Sequence, residues 1–234
     1  MSRITRKELK SDKFALEVQH GVEFVSEHRR QMIRYGVSAA VVLVLGLGWF
    51  GYSTYQHNIR EQKLAEALRI QNSSVGPSSG NPWILTFATQ QAKDAALKTA
   101  LTDLVTKYHG TEEATVAQYL LGTEAANSGK LSEADQRLRD AMDNGSGPYT
   151  SMARVALARV LASEGKLNEG EALLRSLIEN PTAFVSKDEA SIDLAELIKS
   201  TNPAEARKLL APLRTARSTV SKIAITQMSE IPEK

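Results

Sequence analysis

Residues 36–52 are seventeen consecutive positions without a charged side chain, rich in Val, Leu, Ala and Gly, and this run constrains the rest of the chain more than any other feature. At 1.5 Å per residue a helix of that length covers roughly 26 Å. Tyr35 on one side and residues 53–55 on the other extend it to the ~30 Å hydrocarbon thickness of a bilayer, so a single span over 35–55 is expected. Arg29, Arg30 and Arg34 crowd its N-terminal flank, whereas no positive charge follows Tyr52 until Arg60. Loops on the cytoplasmic side of a membrane carry the excess of Lys and Arg, which places a tail of residues 1–34 in the cytoplasm and everything after the span outside. Tyr35, Trp49, Tyr52 and Tyr55 fall at the two headgroup levels, where a ring with a polar tip is best solvated.

Two other readings of the run are weaker. Gly51-Tyr52-Ser53 has the small-x-small form of a signal-peptide cleavage site, but the 34 preceding residues do not suit a short leader with an apolar core of ~7–15 residues. Gly46-Leu47-Gly48-Trp49-Phe50-Gly51 matches the dinucleotide-binding pattern G-x-G-x-x-G. That pattern acts only as a turn between a strand and a helix, and no parallel strands are expected downstream.

The chain of 234 residues carries a net charge of +2, a balance that is uneven along its length. Residues 1–34 hold eight Lys/Arg against five Asp/Glu, and the remainder holds 21 against 22, so the outer part lacks a nucleic-acid footprint. Zero cysteines exclude disulfides and thiolate chemistry. In the tail, Arg3, Arg6, Lys7, Lys10 and Lys13 are spaced as anionic headgroups attract them, and Phe14, Val18, Val22 and Val25 recur at helical spacing. A tail that only orients the span fits the same residues.

Beyond the span, residues 53–71 contain no Pro or Gly and set Ile59, Leu64, Ala67 and Leu68 on one face, so the membrane helix is expected to run on. Residues 72–82 are turn formers and read as a flexible loop, so that 56–82 is a helical extension plus loop. From 83 to 234 the apolar period is three to four throughout, and the domain is expected to be all-α. Leu97, Leu101 and Leu104 stripe one helix; Val116, Leu121 and Ala125 the next; Ala134, Leu138 and Ala141 a third.

Self-similarity carries the most information. Gly129-Lys130-Leu131-Ser132-Glu133 recurs as Gly165-Lys166-Leu167-Asn168-Glu169 at an offset of 36 residues, and Glu205 follows Glu169 at the same offset. A period of this size means stacked helix pairs. Gly129 and Gly165 are expected to end first helices in the left-handed conformation, and Ser132, Asn168 and Asn202 to cap second helices, with Asp135, Glu171 and Glu205 three residues on. Small Ala134, Gly170 and Ala206 permit close helix approach, and Leu138, Leu174 and Leu210 fill the groove behind them.

Leu121-Gly122, Gly129, Ala134, Leu138 and Ala141, then Leu157-Ala158, Gly165, Gly170, Leu174 and Leu177, resemble the tetratricopeptide repeat. Gln118, Ala125, Arg154 and Leu161 stand where the repeat usually carries first-helix Trp and Tyr. The period is longer than the usual 34, which places extra residues in the turns 143–148 and 180–186. The resemblance implies an α-solenoid of about three to four helix pairs. A basic tail, one span and an outer repeat array together resemble the bacterial ancillary subunit of the Sec translocon. That likeness implies a single-pass inner-membrane protein with a periplasmic repeat domain, partnered by the translocon and envelope chaperones.

Catalytic chemistry is not legible. His20, His28, His57 and His109 lack metal-ligand spacing, and His109 beside Glu112 and Glu113 reads as a turn before an acidic helix start. Asp135, Arg137, Arg139 and Asp140 read as a solvated face. No cofactor, metal site or catalytic residue is expected. The candidate site is the face of the first helices, where Tyr119, Thr123 and Asn127 form one i, i+4, i+8 ladder and Val155, Arg159 and Ser163 the next. One aromatic, one cation and small polar groups suit an extended peptide or partner loop. Coverage of the neighbouring repeat would use the same residues. A scaffold at the export machinery is the favoured function. A cell-envelope or division coordinator and an all-α enzyme are the competitors.

Overall fold

The computed structural model describes residues 29–77, 80–81, 84–215 and 219–231; the basic tail cluster and the proposed Phe14–Val25 helix lie outside these. The chain divides into two units, Met1–Asn58 and Ile59–Lys234. One helix, α1 (Arg29–Gln71), contributes to both. Among the described residues it is the one helix long and apolar enough to cross a membrane. In the first unit its apolar side chains have no protein cover: Leu45 and Leu47 are each 68% exposed and Trp49 is 72% exposed. A contiguous bare apolar surface of this extent is not tolerated in water and marks contact with lipid or protein.

The second unit is built from α2 (Gln90–Lys107), α3 (Glu112–Asn127), α4 (Leu131–Asp143), α5 (Tyr149–Ser163), α6 (Leu167–Glu179), α7 (Lys187–Ile198), α8 (Pro203–Leu210), a 3₁₀ turn (Ala211–Thr215) and α9 (Thr219–Glu230). Consecutive helices pack as antiparallel hairpins α3/α4, α5/α6 and α7/α8. The last turns of α1 pack on α2 and α3, where Ala67, fully buried, joins Leu101, Leu104, Ala117 and Leu121 in one cluster. The Arg60 Nε donates to Glu113 at 3.1 Å across this contact. Burial raises the Glu113 carboxyl pKa, but its own backbone N–H, the Arg60 guanidinium and the Thr111 hydroxyl together outweigh burial and hold it below the usual carboxylate range. The array is therefore all-α apart from a two-residue parallel ladder, β1 (Ser74–Val75) with β2 (Thr86–Phe87), which ties the turn-rich segment after α1 to the start of the repeats. No periodicity announces so short a ladder.

The α3/α4 and α5/α6 turns have the same cause. Gly129 (φ 73°) and Gly165 (φ 81°) take the left-handed conformation, and the following lysine N–H reaches back to a carbonyl five residues earlier, Lys130 to Ala125 at 2.9 Å and Lys166 to Leu161 at 2.8 Å. This is the Schellman closure of a helix end. It corrects the expected caps. Lys130 and Lys166 are themselves the residues before the second helices, which start at Leu131 and Leu167 without a side-chain cap, so Ser132 and Asn168 already lie inside them. The closing turn leaves no room for a separate cap residue. Asn202 does cap: its Oδ1 accepts from the Glu205 N–H at 3.2 Å.

The acids facing first-turn N–H groups are consequently Glu133, Glu169 and Glu205, not Asp135 and Glu171. Each also meets a cation from the preceding second helix: Lys98 at 4.0 Å, Arg139 at 3.3 Å and Arg175 at 2.5 Å. Asp135 and Glu171 brace Arg139 and Arg175 from one turn back. Individually such pairs contribute ~0–1 kcal/mol. The Arg139–Glu169 and Arg175–Glu205 pairs recur at 36 residues, so the same link joins α4 to α6 and α6 to α8.

A second periodic device explains the long turns. The Ser146 N–H donates to Thr115 Oγ1 at 2.8 Å, and, 36 residues on, Thr182 Oγ1 donates to Ser151 Oγ at 2.9 Å. Each turn between repeats is thus fastened to a hydroxyl buried in the first helix before it. The core behind is apolar: Leu138, Leu157, Leu174, Leu194 and Leu210 are all fully buried. Beyond α8, α9 buries Ala224 against α7 and α8 and closes the end of the core.

Candidate binding groove

The first helices of successive hairpins lie side by side, α3 against α5 and α5 against α7. Between them runs a groove of about 320 Å³. Tyr119, Thr123 and Asn127 enter it from α3 and Arg159 and Ser163 from α5, so the fold brings all five expected residues to one surface. Met152 and the edge of Val155 supply the apolar lining, with Leu138 and Val185 buried behind them.

Glu189 and Asp193 complete the groove from α7, and sequence reasoning missed both. The ladders of α3 and α5 stand 36 residues apart, Tyr119 to Val155 and Thr123 to Arg159, but those of α5 and α7 stand 34 apart, Val155 to Glu189 and Arg159 to Asp193. Searching the third copy at the fixed offset of 36 passes over them. The turn before α7 is longer than the one before α5, 180–186 against 144–148, and the buried Leu194, Ala195 and Ile198 follow Leu157, Ala158 and Leu161 at 37, so the two acids come from another part of the helix surface.

Arg159 is the hub. It is two-thirds exposed (66%) and its Nη2 donates to Asp193, which is only 11% exposed. The guanidinium thereby joins α5 to α7 and still presents other N–H groups to the groove, since a guanidinium has five. Tyr119 is half-buried and stands edge-on to Tyr149, with ring centroids 5.5 Å apart, and Tyr149 stands edge-on to Phe184 at 5.5 Å. Burial raises the pKa of the Tyr119 hydroxyl, Tyr149 adds to the rise, and the charge of Arg159 opposes it. Thr123 and Ser163 donate their hydroxyl hydrogens to Leu120 O and Arg159 O, both at 3.0 Å, which leaves oxygen lone pairs as acceptors. Rows of such groups at helix spacing, above an apolar lining, hold an extended chain by its backbone and one or two side chains.

The residues read as a solvated face form a different environment. Arg137 Nη1 donates to Gln118 Oε1 at 3.1 Å, and Asp140 accepts from Gln118, from Asn144 at 3.0 Å and lies 3.2 Å from His109 Nε2. Burial raises the Asp140 pKa, but these partners outweigh it and lower the value overall. Asp135, Arg137, Arg139 and Asp140 are all half-buried, because the neighbouring repeat and the 109–111 turn cover them. These bonds join α3 to α4 within one hairpin and, through His109, to the turn before it. Among the described residues no three His, Asp or Glu side chains converge as a metal site would require.

Stacked antiparallel hairpins with a mixed groove along their first helices define a solenoid of the protein-interaction class. The family model described as a tetratricopeptide repeat-like domain matches residues 31–208, more than half of the chain, and the protein belongs to that family. No curated protein and no solved structure matches it.

Proposed function

We propose that the protein is a membrane-tethered scaffold of the inner membrane, with its N-terminus in the cytoplasm and its repeats in the periplasm, that captures a partner in the α3/α5/α7 groove. The observation that carries this reading is the groove itself: three consecutive first helices direct an aromatic ring, a cation and unspent hydrogen-bonding groups to one surface. The tether rests on α1, whose uncovered apolar run belongs to the region the family model matches and passes without a break into the repeat unit. Orientation rests on Arg29, Arg30 and Arg34. A place beside the protein-export machinery, with the translocon or an envelope chaperone as partner, is supported by the likeness of the whole arrangement to the ancillary translocon subunit.

One experiment tests tether, orientation and groove together. A photo-crosslinking residue replaces Thr123 in the native membrane, and intact spheroplasts are irradiated and then treated with protease. Digestion of the repeats together with an adduct to another envelope protein is expected. Repeats that resist until the inner membrane is lysed would reverse the orientation. Adducts that form equally from a crosslinker at Gln136, on the second-helix side, would remove the groove from its role.

A further inference from the structure

Resting on the groove as the docking site, we infer that its occupant is an extended segment carrying a basic side chain, read by Glu189, a few residues from an apolar one. The charges lining the groove are Arg159, Asp193 and Glu189. Arg159 and Asp193 neutralise each other across α5 and α7. Glu189 forms no ion pair among the described residues, so the groove keeps one uncompensated negative charge.

The local structure makes that charge informative. Ser186-Lys187-Asp188-Glu189 has the sequence of a capping box, in which the acid returns a hydrogen bond to the cap residue's N–H. Only half of the box forms. Ser186 Oγ accepts from the Glu189 N–H at 3.1 Å, while the Glu189 carboxylate is exposed and lines the groove. The acid that could have closed the helix start is left available to a ligand.

Geometry sets the ligand's length and direction. Tyr119, Val155 and Glu189 line the groove from three neighbouring helices, α3, α5 and α7. Packed helices lie ~8–10 Å apart, so this row spans roughly 16–20 Å, which an extended chain crosses in about six residues. A segment laid along it sets an apolar side chain on Tyr119 and Val155 and a cation at Glu189. Its backbone carbonyls accept from the free N–H groups of Arg159 and from Asn127, whose side-chain amide makes no bond within the described residues. Matching of opposite charge mainly governs which segment is chosen.

The test selects a displayed library of random nine-residue peptides on the full chain in detergent, in parallel with Glu189→Gln, Glu189→Lys and Thr123→Trp variants. The first keeps the shape of the side chain, and circular dichroism verifies that all three variants are folded. Wild-type selections are expected to enrich Lys and Arg over Asp and Glu at least threefold at one position, with an apolar residue within four positions. Glu189→Gln removes the enrichment and Glu189→Lys turns it toward acids. Selections without basic enrichment, or with enrichment that survives Glu189→Gln, overturn the inference. If those selections still fail on Thr123→Trp, which fills the groove, the groove stands as the docking site and only its charge preference falls. If no selection depends on Thr123, both fall.

Discussion

Leu174→Ala is expected to lower the stability of the repeat unit by about 2–5 kcal/mol, the range for truncating a large buried side chain whose cavity cannot collapse. Leu174 is fully buried and packs in the cluster formed by α5, α6, α7 and α8, so the loss touches two hairpins at once. Arg139→Ala removes a guanidinium that is 40% exposed and paired only at the surface, and it should cost less than ~1 kcal/mol. Thermal unfolding of the detergent-solubilised chain separates the two. Equal and small shifts would mean that the register of α4 and α6 is wrong.

Gly170→Val should destabilise by about 1–3 kcal/mol for the opposite reason, since the helices have no space to receive a side chain. A Cβ at Gly170 would stand 2.5 Å from the Ala158 carbonyl oxygen, which is backbone and can move only with α5. Asn168→Ala, two residues away and exposed, should leave stability nearly unchanged, because Asn168 caps nothing. If instead Asn168→Ala lost the ~1 kcal/mol typical of a helix cap, the helix would begin two residues later, at Glu169.

These two positions show how much of the molecule is readable from residues alone. Gly170, Leu174, Gly129 and Gly165 are legible because close approach, groove filling and a left-handed turn each admit few residue types, and the types recur at 36. The apolar run is legible because no globular core needs seventeen uncharged positions in a row. Ser132 and Asn168 look like helix caps because those residue types usually cap, whereas the glycine-lysine turn closes the preceding helix and the next one starts at Leu131 and Leu167. The ion pairs from one repeat to the next were hidden for a different reason. Glu133, Arg139 and Glu169 sit at periodic positions, but only the stacking angle decides that Arg139 reaches forward to Glu169 as well as back to Asp135. At the site, the α3 and α5 ladders could be read as a helix face. Glu189 and Asp193 could not be, because the turn before α7 is two residues longer than the one before α5 and the two acids reach the groove from a different part of the helix surface than Val155 and Arg159 do.

Fidelity of binding to this groove is the central claim, and its most direct test is recovery of partners from native membranes by the chain with Tyr119 and Arg159 both replaced by alanine. An aromatic ring and an arginine that anchor an interface typically contribute ~2 kcal/mol or more each, so their joint loss should reduce recovery at least a hundredfold. Helicity and membrane insertion should stay as in the wild type, since the buried leucines and α1 are untouched. Undiminished recovery of the same partners by the folded, inserted double variant would contradict the account and move the docking surface to another face of the array.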